Sequence, residues 1–198
     1  TNANFLPIGD RNPDFVLGLV NSFKLFKLVN LSFLLDIRQG GDVYNGNEHY
    51  LTNRGLSMRT LDRDKPIVVK GVLKDGKEET SEPTVNTIQI TPSANETYYT
   101  TVLQPEDFIE RDINWLRLRD VTLTFNLPNK WLQSTNGVIK QASVFVNGTD
   151  LFMITNYTGA DPAVSTTSPA TGGAGGFGMD FGKLSAPRTF SAGLSVTF

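Results

Sequence analysis

Cysteine is absent from this 198-residue chain, and histidine occurs once, at His49. With no thiol, disulfide scaffolds, Cys-ligated zinc, iron–sulfur clusters and thiol nucleophiles are excluded together. The net charge of −2, with Lys and Arg scattered, leaves no basic footprint for nucleic acid. No run of about 18 apolar residues occurs, so no stretch reads as a membrane-spanning helix. Thr1 opens in a loop-like stretch rather than in a basic-then-apolar leader. Neither absence bears on barrel strands, which alternate in polarity and score poorly on hydropathy.

Alternation is what the chain does have. In the C-terminal "TFSAGLSVTF", Phe190, Ala192, Leu194, Val196 and Phe198 fall on one parity and small or polar residues on the other. Side chains of a strand point to opposite faces with period two, so this is a strand with one apolar side. Phe15, Leu17, Leu19, Phe23 and Leu25 repeat the pattern, as do Val29, Leu31, Phe33, Leu35 and Ile37. A tight turn around Phe26 and Lys27 would join these two runs as a hairpin. In "WLRLRDVTLTFNL" the apolar parity slips between Leu118 and Val121, which predicts a β-bulge near Arg119-Asp120.

Strands are expected at about 15–25, 28–38, 113–127, 138–157 and 186–198. The connections alternate short and long, with long ones at about 39–112 and 158–185, the asymmetry of outer-membrane barrels. A small hairpin turning at Asp75-Gly76 is expected inside the first long connection. Trp115 and Trp131 bracket one strand and fit the aromatic girdles at the two membrane interfaces.

Catalytic signatures are missing. His49 lies in no HExxH, GxSxG or phosphate-loop context, and the acidic residues from Asp62 to Asp112 read as solvated loop charge. "GGAGGFG" (172–178) lacks the Lys-Ser/Thr of a phosphate loop. Asp161 and Asp180 sit in oxygen-rich turns of the kind that hold Ca²⁺, but no 12-residue ligand pattern surrounds them. No metal or cofactor is expected from a motif, and no enzymatic activity.

Seven stretches carry a resemblance. They are "IGDRNPDF" (Ile8–Phe15), "GGDVYN" (Gly40–Asn45), "RTLDRD" (Arg59–Asp64), "WLRLRDVTLTFNLP" (Trp115–Pro128), "VFVNGTDLF" (Val144–Phe152), "GADP" (Gly159–Pro162) and "APRTFSAGLSVTF" (Ala186–Phe198). In this order they resemble the C-terminal portion of SusC/RagA-type TonB-dependent transporters, outer-membrane importers of Bacteroidota. Asp150 stands where that family commonly has Asn, and Ala160 and Ala163 are local variants.

The resemblance implies an all-β fold: about the last five strands of an antiparallel barrel of about 22 strands closed around a plug. It implies import of a glycan or peptide across the outer membrane. The partners would be the rest of the barrel and plug, a SusD-like surface lipoprotein, and TonB acting through the plug. Phe190, Leu194, Val196 and Phe198 would face lipid on the closing strand. Ser32, Asp36, Arg38, Arg117 and Arg119 would line the lumen. Two alternatives remain beside it: a soluble β-sandwich binding carbohydrate or protein, and an enzyme on a β scaffold with a carboxylate pair hidden in space.

Overall fold

Residues 7–95, 97–163, 165–166 and 176–198 are described by a computed structural model of the chain. Five long strands dominate it: β1 (Phe15–Leu25), β2 (Val29–Gln39), β3 (Trp115–Asn126), β4 (Gln141–Thr155) and β5 (Thr189–Thr197). Their order in the sheet is their order in the chain, and every neighbouring pair is antiparallel. The result is a meander, with β1 and β5 as its edges. Of the glycine-rich stretch, residues 172–175 lie outside the described residues.

Local chemistry explains where the strands turn. Phe26 (φ 50°) and Lys27 (φ 62°) both adopt left-handed backbone, and the Leu28 N–H closes the turn on the Leu25 carbonyl at 3.2 Å. Two positive-φ residues in succession match the right-handed twist of the flanking strands. The 127–140 connection holds one turn of helix, α2 (Asn129–Leu132), and Asn136 is left-handed at φ 55°. The strands begin or end within a few residues of the expected limits; β4 starts at Gln141 instead of 138 and β5 at Thr189 instead of 186.

The parity slip in β3 is a bulge. The β2–β3 register passes from Leu34↔Asp120 to Leu35↔Leu118, leaving Arg119 as an additional residue. Opposite it, β4 passes from Thr149 to Phe152, and Asp150 takes up the excess at φ 50°. The bulge keeps Leu116 and Leu118 on the same face as Val121, Leu123 and Phe125, paired with the apolar parity of β2.

One face of the sheet is therefore apolar from edge to edge, and it is open. Phe15, Leu19, Leu123, Val146, Ile154, Phe190 and Leu194 on this face are all exposed. Strands of about 11 residues tilted by about 45° rise roughly 25 Å, the height of a bilayer's apolar band. A sandwich would lay a second sheet over this face. Among the described residues, nothing covers Leu194, 66% exposed, or Phe198, 71% exposed.

The buried cluster lies elsewhere, at the end of the sheet where the long connections leave. Val43, Ile113, Trp115 and Tyr157 form it, with Met153 and Ala163 packed against them.

Within the first long connection, Tyr44–Ile109 is a compact unit of its own. It contains α1 (Gly46–Asn53), whose N-terminus is capped by the Asn45 side chain accepting from the Glu48 N–H at 2.9 Å. No amphipathic period announces this helix, because its sequence, GNEHYLTN, is polar on nearly every side. The small hairpin differs from expectation. Ile67–Val68 pairs with Gln89–Ile90, and Val72 bridges Val85, so the turn spans 74–83 and Asp75-Gly76 is only its first bend. Gly76 is left-handed there at φ 88°.

Candidate functional site

The face opposite the apolar one carries the charges. Lys24, Asn30 and Thr124 stand in line near the short turns; Ser22, Ser32, Thr122 and Asn147 follow. The Asn147 amide donates to Asp120 at 2.7 Å and to the Thr122 hydroxyl at 2.8 Å. Arg119 reaches back across the bulge and donates to Asp36 at 2.7 Å. Phe145 also lies on this face, spread over Gly193 of β5.

Above this row, toward the long connections, the polar face closes into a buried junction. The Arg38 guanidinium donates to the carbonyls of Gly40 (3.1 Å) and Arg11 (2.8 Å) and lies 4.9 Å over the Trp115 ring. At Gly41 a β-carbon would run into that guanidinium, and the left-handed backbone there (φ 87°) favours glycine in its own right. Asp42 gathers three donors: the backbone N–H of Asp10 (2.9 Å), the Arg111 guanidinium (3.2 Å) and the backbone N–H of Asp112 (3.2 Å). Arg111 donates in turn to the Ile8 carbonyl at 3.0 Å. These bonds bind residues 8–12, the end of β2 and the approach to β3 into one knot.

The second long connection is held by two buried acids. Arg117 is paired with Asp161 and, more distantly, with Asp150 at 3.5 Å. The Asp161 carboxylate also accepts the Ala163 N–H at 2.9 Å. The Tyr157 hydroxyl donates to Asp180 at 2.9 Å. Burial and the neighbouring Asp180 carboxylate both push the Tyr157 hydroxyl pKa well above its ordinary value. Thr158 donates to Glu110 through its N–H and its hydroxyl.

The residues expected from the sequence fall in different surroundings. Trp115 is buried on the polar face under Arg38. Trp131 is 62% exposed at the short-turn end. Arg38 and Arg117 share the polar face and are buried there, against this chain's own backbone carbonyls and carboxylates. Ser32 and Asp36 are half-buried and Arg119 exposed, and all three remain on the open part of that face. Phe190, Leu194 and Phe198 are exposed and Val196 half-buried; Leu194 and Val196 stand opposite Val144 and Ala142 of β4. Asp161 and Asp180 are engaged by Arg117 and Tyr157, with no group of three acidic or histidine ligands among the described residues.

In the Tyr44–Ile109 unit, His49 is a packing residue. Its ring stacks on Phe108 with centroids 4.3 Å apart, and its Nδ1 lies 2.5 Å from the Tyr44 hydroxyl. Sequence reasoning missed the Asp42–Arg111 knot and the Arg117–Asp161 pair. The signal available was charge inside motif stretches whose alternation places it on a strand or beside a double glycine.

No family model matches the chain. Two curated relatives from Formosa agariphila do. The TonB-dependent receptor P3 is 24% identical over 192 residues, 96% of this chain and 17% of the relative. The TonB-dependent receptor P26 is 29% identical over 193 residues, 96% of this chain and 18% of the relative. The chain thus spans less than a fifth of their length.

Solved structures share the fold. The RagAB peptide importer in its open-open state superposes with a TM-score of 0.56 at 19% identity, over 94% of this chain and 17% of the importer chain. Its closed-closed state gives 0.51 at 20% identity, over 87% and 16%. The resemblance to a C-terminal portion of a SusC/RagA-type TonB-dependent receptor holds along nearly the entire chain.

Proposed function

We propose that these residues form one wall of a closed β-barrel of about 22 strands in the bacterial outer membrane. Its apolar face meets acyl chains and its polar face meets the passage. The observation that carries this is the exposed apolar face, broken on β1 only by Asn21, of a sheet whose other face bears the ion pairs and amides. The open edges of β1 and β5 argue in the same direction, since each unpaired backbone group in lipid costs several kcal/mol and closure removes the problem.

The likeness to TonB-dependent receptors extends the proposal to the whole protein: energy-coupled uptake of a glycan or peptide. In that scheme TonB acts through a plug, and a SusD-like lipoprotein engages the long connections. Ser32, Asp36 and Arg119 then line the passage, while Arg38 and Arg117 fix the loops above it. Phe190, Leu194, Val196 and Phe198 form the lipid side of the closing strand, with Trp131 at the interface.

These 198 residues hold no cysteine, so with any cysteine elsewhere in the protein replaced by serine a single introduced thiol reports alone. Leu194→Cys and Ser195→Cys in the full-length protein are neighbours on opposite faces of β5. In isolated outer membranes Leu194→Cys is expected to resist a water-soluble maleimide and to react with a lipid-soluble one, whereas Ser195→Cys reacts with the water-soluble reagent. Equal labelling of both by the water-soluble reagent removes the barrel reading.

A further inference from the structure

The short-turn end of the sheet is basic without any acid to balance it. Residues 15–35 and 121–149 carry both short connections and the strand segments that lead into them. They contain Lys24, Lys27, Lys130 and Lys140, and no Asp or Glu. The ion pairs Arg119–Asp36 and Arg117–Asp161 stand toward the other end.

Three of these lysines meet at one cavity. It holds about 470 Å³ between the β1–β2 turn and the 127–140 connection, and Lys27, Lys130 and Lys140 line it with Asn126, Asn129 and Gln141. The side chains of Lys27 and Lys130 make no hydrogen bond or ion pair among the described residues, and that of Lys140 donates to the Phe198 carbonyl at 3.1 Å. The walls thus bear three positive charges and no negative side chain. Both connections that enclose the cavity belong to this chain, and strands added at the edges β1 and β5 would join outside them.

Apolar groups flank these charges on the side of the apolar face. Phe26 is 91% exposed, and the exposed Trp131 ring lies 6.3 Å from that of Phe125, which belongs to that face. Lys140 precedes Ala142, Val144 and Val146 on the same parity. A cation at the end of an apolar stripe, beside aromatic rings, is how side chains straddle acyl chains and headgroups.

We propose that this cavity seats the phosphodiester headgroup of an anionic phospholipid. The ammonium groups of Lys27, Lys130 and Lys140 surround the phosphate oxygens, which accept charge-assisted hydrogen bonds. Asn126, Asn129 and Gln141 serve the headgroup hydroxyls, and the acyl chains run along the apolar face past Trp131 and Phe125. A zwitterionic headgroup would bring its own cation among three others, so net negative charge is preferred. An acidic protein segment would answer the lysines, but Lys140 and Trp131 stand on the acyl side, where a lipid supplies both the charge and the apolar chain. The assignment rests on the barrel reading, which sets the apolar face against lipid.

The test uses the full-length protein in phosphatidylcholine nanodiscs, with any cysteine elsewhere replaced by serine. One protein carries a bimane fluorophore on Val138→Cys, two residues from Lys140, and a second carries it on Leu194→Cys. The quenchers are phosphatidylglycerol and phosphatidylcholine with brominated acyl chains, at equal mole fraction. At Val138→Cys the anionic lipid is expected to quench at least about threefold more strongly, with an advantage that fades as salt is added. Lys27→Gln and Lys130→Gln, at exposed positions, should each lower the advantage, and Lys130→Glu with Lys140→Gln should abolish it. At Leu194→Cys both lipids should quench alike. The proposal is overturned by equal quenching at Val138→Cys, as an acidic segment over the lysines would give, or by an advantage that survives the lysine substitutions. Displacement of the lipid by an equal concentration of soluble glycerol phosphate also overturns it. Any of these with Leu194→Cys still quenched removes this proposal alone; no quenching at Leu194→Cys removes the barrel reading and the headgroup site with it.

Discussion

The ring of Phe145 on β4 covers Gly193 on β5 so closely that a β-carbon at 193 would lie 2.5 Å from it. The pair stands on the polar face, midway along the register that joins the last strand to the sheet. Phe145 interrupts a run of polar residues on its face, and Gly193 interrupts the side chains of β5. Each irregularity accounts for the other.

Gly193→Ala is accordingly expected to destabilise by about 1–3 kcal/mol through overpacking. Phe145→Ala in the same chain should recover most of that loss. Thermal or urea unfolding of the full-length protein, followed by gel migration, measures both; an additive double variant would show that the two residues do not share space.

Asp161→Asn should loosen the second long connection. It leaves the buried Arg117 guanidinium with only its distant partner Asp150, and removing one member of a buried pair typically costs about 3–5 kcal/mol. Faster hydrogen exchange and proteolysis at 156–163, with the strands unaffected, is the expected outcome. Asp36→Asn is the control: Arg119 is 43% exposed, and such a pair contributes about 0–1 kcal/mol.

The turn after β1 is strained, because Phe26 and Lys27 both hold positive φ. For non-glycine residues that conformation costs roughly 1–2 kcal/mol each. Phe26→Asn with Lys27→Gly is the favoured pair for such a turn and should stabilise the hairpin by about 1–2 kcal/mol. Refolding yield into detergent or lipid reads the effect.

Alkaline stability should depend on Tyr157. Its pKa in the folded state lies above the unfolded value, so the folded state holds the phenol proton more tightly. Below about pH 10 the group is neutral in both states and its contribution is constant. Above that pH unfolding releases a proton, and stability falls as pH rises. Tyr157→Phe lowers this slope, Tyr44 and Tyr99 with their raised pKa values keeping a share of it, and loses the hydrogen bond to Asp180 at every pH. A titration of unfolding midpoints between pH 8 and 11 separates the two effects.

The long strands were legible because alternation is a local property. Phe15 to Leu25 and Val29 to Ile37 declare their faces without reference to anything distant, and the slip at Arg119 reveals a bulge for the same reason. The burial of Trp115 was legible in parity, though not in the spacing of the two tryptophans. Trp115 shares a face with Arg117 and pairs with Arg38, so the alternation that defined the strand also placed its first residue on the polar side. The Arg117–Asp161 pair spans 44 residues, and no local pattern encodes such a meeting. Phe145 showed an intermediate case: its parity was plain, but the reason for an aromatic there became visible only with Gly193 across from it.

The only clustered hydrophobic interior among the described residues sits at one rim, around Val43, Ile113, Trp115 and Tyr157. Below that rim the wall is one side chain thick on either surface, held by its ladder and by whatever surrounds it. In the proposed barrel its cohesion is therefore partly a property of the host medium: thinner or more fluid lipid would be felt first at the short-turn end, while the knotted rim keeps its shape.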